Sequence, residues 1–171
     1  MSARAHTAWI TLGALLALGL GPPPRSLTAQ DPDLVARGKE LVEVAANCAE
    51  CHTPLTDTGE PDERYHLAGH VAGLPVPHNS AFKDLKGGGG VTYARNLTPD
   101  PETGLGGWTL EEFRRVLKEG VTREGRPLRH PMPWKRFLKA FSDEDIRAVW
   151  AYLRSLPPVR NKVPEAVESS R

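Results

Sequence analysis

The stretch Cys48-Ala-Glu-Cys-His-Thr-Pro54 holds both cysteines of the 171-residue chain, three positions apart, with a histidine directly after the second. Four chemistries use such a pair, and each makes a different demand on the rest of the sequence. A structural zinc ion takes four ligands, usually from a second Cys or His pair at short spacing. No further cysteine exists, and His66, His70 and His78 stand singly. A disulfide between residues three apart closes a loop too short to restrict the unfolded chain much. A thioredoxin-type dithiol belongs at a helix start inside an alternating strand and helix pattern, which this chain lacks. Covalent haem attachment through C-x-x-C-H is the remaining reading, and it accounts for the histidine as well as the cysteines.

The spacing has a physical reason. On a helix, Cys48 and Cys51 are three apart and Cys48 and His52 four apart, so the three side chains leave one side. Each sulfur can then form a thioether with the macrocycle while the imidazole approaches iron from the same face. A six-coordinate iron needs a second ligand opposite. Outside the first residue the chain has one methionine, Met132, in His130-Pro-Met-Pro-Trp134, where flanking prolines stiffen a loop that can hold a weak thioether donor. His130 is its main rival, followed by His66, His70 and His78. Methionine ligation raises the reduction potential relative to bis-histidine ligation, and it closes the iron to substrates. A haem enzyme such as a peroxidase requires instead an open distal position, with His130 as the catalytic base, and a structural or sensory haem domain requires two histidines.

Residues 1–29 differ from the rest. Arg4 precedes an apolar run from Trp9 to Leu20, and Ser-Leu-Thr-Ala29 follows a Gly-Pro-Pro-Pro stretch, the pattern of a secretory signal peptide cut near Ala29. About 12 apolar residues cover only ~18 Å of a ~30 Å hydrocarbon core, so membrane association is expected only if the leader is retained. An exported, periplasmic protein is the expectation. With two of the 22 basic residues in the leader, 20 remain against 21 acidic, a balance that gives no reason to expect nucleic-acid binding.

Helical periodicity and a capping Asp33 predict a first helix over Asp33 to Ala46, carrying Leu34, Leu41, Val42 and Ala45. Thr53 to Gly107 is rich in proline and glycine and reads as loop; such a length of irregular chain fits a compact domain only where it wraps something that supplies a core. Thr109-Leu-Glu-Glu112 is a capping box that opens a helix ending at Gly120, with Phe113, Val116 and Leu117 on one face. Ser142-Asp-Glu-Asp145 is a shorter-armed box before Ile146, Val149, Trp150 and Leu153. A short helix from Trp134 to Phe141 is expected between them. No strand alternation and no internal repeat are evident, so the expected class is all-α, with few helices and long loops.

With these residues placed, the chain resembles a single-haem class I c-type cytochrome of bacteria. In that family an N-terminal helix carrying a glycine crosses a C-terminal helix carrying an aromatic, which here implies Gly38 against the helix containing Ala151-Tyr-Leu153. More narrowly, Asn96-Leu-Thr-Pro-Asp-Pro-Glu-Thr-Gly-Leu-Gly-Gly-Trp108, Glu119-Gly120, Gly125-Arg-Pro127, the Pro-Met-Pro-Trp stretch and Leu153-Arg-Ser-Leu-Pro-Pro158 are similar to a subgroup of periplasmic domains, found alone or as electron-accepting modules of membrane-bound dehydrogenases. The resemblance implies a cytochrome c fold over residues 30–160, one covalent haem c tethered by Cys48 and Cys51, and His52 and Met132 as iron ligands; the charged end of the chain reads as a flexible tail over 161–171. It implies a one-electron carrier rather than an enzyme, working between a redox donor and acceptor such as a membrane-bound dehydrogenase or oxidase. Asn96, Trp108 and Trp134 are either pocket residues or ordinary packing and turn formers. Arg114, Arg115, Lys118, Lys135, Arg136 and Lys139 form either a docking rim for an acidic partner or solvated helix faces.

One departure stands out. The family often supplies the carbonyl that orients the ligating imidazole from a proline about a dozen residues downstream. Position 64 here is arginine, leaving Pro61 as the nearest candidate, with Pro54 closer to the histidine.

Overall fold

The computed structural model describes residues 31–83, 90–135 and 140–168. The expected leader and most of the expected short helix between Trp134 and Phe141 lie outside the described residues. Among those described, four α-helices carry the fold: α1 (Pro32–Glu40), α2 (Ala49–His52), α3 (Leu110–Glu119) and α4 (Asp143–Ser155). Helix α1 starts one residue earlier than expected, because Asp31 rather than Asp33 caps it. The Asp31 carboxylate accepts the Asp33 N–H, and Pro32 occupies the first turn, where a missing N–H costs nothing.

The first helix does not run straight into the cysteine motif. After Glu40 the chain widens into a π-helical turn, Leu41–Ala45. The Ala46 N–H donates to the Leu41 carbonyl and the Cys48 N–H to the Val42 carbonyl. Asn47 then takes a left-handed conformation at φ 47°, which asparagine tolerates better than most residues. A separate single turn, α2, follows.

Helices α1 and α4 cross at Gly38. A Cβ there would lie 1.9 Å from the Ala148 carbonyl oxygen and 2.8 Å from Tyr152 Cβ, so only glycine permits the approach. Leu41, Val42, Phe113, Leu117, Ile146, Val149, Tyr152 and Leu153 form the core, joined by Leu67 and Leu105 from the long loop. Both predicted capping boxes are complete. In α4 the shorter Asp145 still reaches back, accepting the Ser142 N–H at 3.0 Å while its own N–H donates to Ser142 Oγ. Gly120 ends α3 in the left-handed region at φ 69°.

Two features depart from the expected architecture. A two-stranded antiparallel hairpin, β1 (Ala81–Lys83) and β2 (Val91–Tyr93), pairs Ala81 with Tyr93 and Lys83 with Val91, so the mostly α domain carries a small sheet. Three-residue strands are too short to display alternation. The segment expected as a flexible tail from residue 161 is pinned as far as residue 168. Asn161 and Val163 are buried, and Val167 exchanges both backbone hydrogen bonds with Val91. Two of its charged residues have partners: Arg95 takes Glu165, and Arg129 takes Glu168.

Candidate functional site

The single turn α2 gathers the motif. Cys48 is its N-cap, and the His52 N–H donates to the Cys48 carbonyl at 2.9 Å. The i, i+3 and i+4 relation expected of the three side chains is therefore kept, although on a turn of its own rather than on a continued first helix. Both sulfurs are unbridged. Burial, with the Glu43 carboxylate close by, pushes the Cys48 thiol up to about 12, and burial beside Glu50 raises the Cys51 thiol as well. Both shifts run against the thiolate that dithiol exchange uses. Among the described residues no group of three or more His, Cys, Asp and Glu side chains is arranged to hold a metal ion.

His52 is oriented by a group that the sequence did not single out. Its Nδ1–H donates to the Arg95 carbonyl oxygen at 2.7 Å, and neither Pro54 nor Pro61 supplies the acceptor. Arg64, at the place of the family's proline, turns to the surface and pairs with Asp62. Burial holds the His52 imidazole below its ordinary pKa, partly opposed by the Arg95 carbonyl. With Nδ1 protonated and engaged, the neutral ring keeps its Nε2 lone pair as a donor.

The Arg95 carbonyl is itself built in. Gly69 packs against it in the left-handed region at φ 80°, and a Cβ at Gly69 would lie 2.5 Å from the Ala94 carbonyl oxygen and 2.9 Å from that of Arg95. The Gly69 N–H donates to the His52 carbonyl at 2.7 Å. Asn79 ties the other side of the turn, donating to the carbonyls of Glu50 and Thr53. The long loop is thus satisfied group by group, as buried backbone must be.

Met132 stands on a separate loop anchored to the end of α3. The Leu128 N–H donates to the Gly120 carbonyl at 2.7 Å, and the Trp134 indole lies so closely over Gly120 that a Cβ there would come within 2.2 Å of the ring. Between these anchors, residues 128–135 line an open cleft of about 290 Å³ that includes Met132. Met132 is partly buried and packs against the same core cluster as Cys48. Its histidine rivals are differently placed. The His66 Nε2–H donates to Glu43, His70 and His78 both meet the Ser80 hydroxyl through Nδ1, and His130 is exposed.

Asn96 acts as a turn former. Its amide donates to Thr103 Oγ1 and the Val159 carbonyl, and its oxygen accepts from Thr98. Trp108 packs against the core. Within the basic cluster Arg114 and Lys118 both meet Asp143 and Arg115 meets Glu119, while Lys135 is exposed with its ammonium over the Trp134 ring. Arg136 and Lys139 lie outside the described residues.

A haem fits this donor set: two unbridged thiols and an imidazole with a free Nε2 on one turn, beside a core that also takes a methionine from a loop anchored at Gly120. The two cysteines provide for one such group.

A family model for cytochrome c matches residues 35–157. The chain is 36% identical over 131 residues, 77% of its length and 9% of the relative's, to a nicotinate dehydrogenase subunit of Pseudomonas putida. It is 36% identical over 142 residues to the cytochrome c subunit of alcohol dehydrogenase (quinone) of Gluconobacter oxydans, 80% of this chain and 25% of that one. To the cytochrome c subunit of gluconate 2-dehydrogenase of Pantoea cypripedii it is 32% identical over 150 residues, 85% and 29% of the two chains. The chain therefore spans less than a third of the length of these relatives.

Proposed function

Because the chain belongs to the cytochrome c family, we propose that it is an exported, periplasmic one-electron carrier with a single haem c held between His52 and Met132, serving a dehydrogenase. When bound, the haem supplies the ferric/ferrous couple. The chain's own residues do the rest. Cys48 and Cys51 form the thioether tethers and take no further part in redox chemistry. His52 is the proximal donor, and the Arg95 carbonyl, by accepting its Nδ1–H, fixes the ring and raises its basicity. Met132 is the distal donor, on a loop held by Gly120 at both ends, and its thioether favours the reduced iron. The partly buried Met132 keeps water and substrates from the iron, which suits a carrier.

The observation that carries this reading is the bond from His52 Nδ1 to the Arg95 carbonyl on the turn that also carries Cys48 and Cys51, an arrangement that serves a tethered, oriented iron ligand. A dehydrogenase as donor is supported by the relatives' names, and which dehydrogenase follows from the chain that accompanies this one. The optical spectrum tests the proposal. The ferric protein is expected to be low-spin, with the weak long-wavelength charge-transfer band of iron bound to thioether sulfur. A high-spin ferric spectrum with rapid peroxide turnover defeats the carrier reading and favours a haem enzyme using His130.

A further inference from the structure

We propose that Arg95 and Asn161 are positioning residues for the proximal histidine, through which the C-terminal segment after α4 sets how strongly His52 donates to its acceptor. The acceptor is the Arg95 carbonyl, 2.7 Å from His52 Nδ1. The Arg95 side chain leaves the same residue and clamps the C-terminal segment, donating to the carbonyls of Val163 and Pro164 and to the Glu165 carboxylate. Asn161, buried in that segment, points its amide at the facing stretch of loop. Its two N–H groups serve the carbonyls of Ala68, at 2.9 Å, and His70, at 3.1 Å. Those two residues flank Gly69, which donates to the His52 carbonyl and packs against Arg95. The His70 N–H completes the circuit by donating to the Ala94 carbonyl.

His52 thus touches two strands of loop, one at its ring and one at its backbone, and the C-terminal segment holds both. A segment needed only to cover the core would require burial of Val163 but no amide aimed at the backbone beside the ligand. The chemistry follows from the ring. A firmly held acceptor draws the Nδ1 proton, makes the imidazole a stronger donor and favours ferric iron. A loosened acceptor does the reverse, so the potential rises.

The inference rests on His52 being the iron ligand, so the wild-type holoprotein is checked first for covalent haem; its absence counts against the haem reading itself. Asn161→Ala and Arg95→Ala are then compared with wild type by potentiometry and by NMR of the ferrous protein, following solvent exchange of the His52 Nδ1 proton. Both variants are expected to raise the potential and to speed that exchange about fivefold, the factor given by weakening one net hydrogen bond. Arg95→Lys keeps a donor for the Val163 and Pro164 carbonyls and is expected to restore most of both readings, which also covers the case in which Asn161→Ala does not fold. Arg160→Ala, on the same segment but paired with exposed Glu102, is the control and is expected to change neither. If Asn161→Ala and Arg95→Ala lower only the melting temperature and match Arg160→Ala in potential and exchange, the segment is a structural clasp and the inference is wrong.

Discussion

Met132 and its neighbour His130 separate most sharply at the scale of single residues. Met132 packs on the core and His130 is exposed, so their replacements have opposite expectations. Met132→Ala is expected to abolish the long-wavelength ferric band and to lower the potential by on the order of 100 mV, within the wide range that axial ligands command. His130→Ala should leave both unchanged, and the comparison is made by spectroscopy and potentiometry on the two holoproteins. The reverse result transfers the distal role to the histidine. The turn that carries Cys48, Cys51 and His52 was legible because its spacing is local: three side chains within five positions declare it. The acceptor of His52 was not. Any residue offers a carbonyl, and the one used comes from Arg95, 43 positions away, where the side chain gives no hint of the backbone's task. Arginine at position 64 warned that the usual acceptor was missing without naming the replacement.

Elements were readable where their ends are chemically marked. Thr109 with Glu112, Ser142 with Asp145, and Gly120 each settle a helix boundary through bonds made within four residues. Ser142→Ala is expected to cost about 1 kcal/mol and Gly38→Ala about 2–3 kcal/mol, because the added carbon forces α1 and α4 apart as in an overpacked core. Denaturant unfolding of the holoprotein orders them, and a Gly38→Ala variant as stable as Ser142→Ala would mean that the crossing adjusts freely. The π turn after Glu40 was not readable. Leu41, Val42 and Ala45 keep helical spacing in sequence, and what widens the turn is tertiary. Glu43 within it accepts from Tyr152 of α4 at 2.7 Å and from His66 of the loop at 3.0 Å, partners that no local pattern announces. Tyr152→Phe removes one of them and is expected to lose about 1 kcal/mol by the same unfolding measurement.

At the scale of the whole molecule, much of the charge on the described residues is paired within the chain. The basic residues on and after α3 look like a docking rim in sequence, but Asp143, at the start of a different helix, takes Arg114 and Lys118. Salt is therefore expected to change the rate of reduction by a dehydrogenase partner only modestly, by less than about tenfold between low and physiological ionic strength, where a charge-steered encounter falls much more steeply. Stopped-flow reduction across a salt series measures this, and a steep decline would restore the rim. The C-terminal segment was misjudged for a similar reason: its charges suggest solvent, yet its anchors are the buried Asn161 and a backbone pairing with β2 that depends on where the loop has gone.

The partly buried Cys48 thiol has one more consequence, and it concerns the order of assembly. Burial and the Glu43 carboxylate push its thiol up to about 12, which disfavours the thiolate in the folded chain. A tether made before the chain closes meets no such barrier, so the expected order is attachment first and folding second.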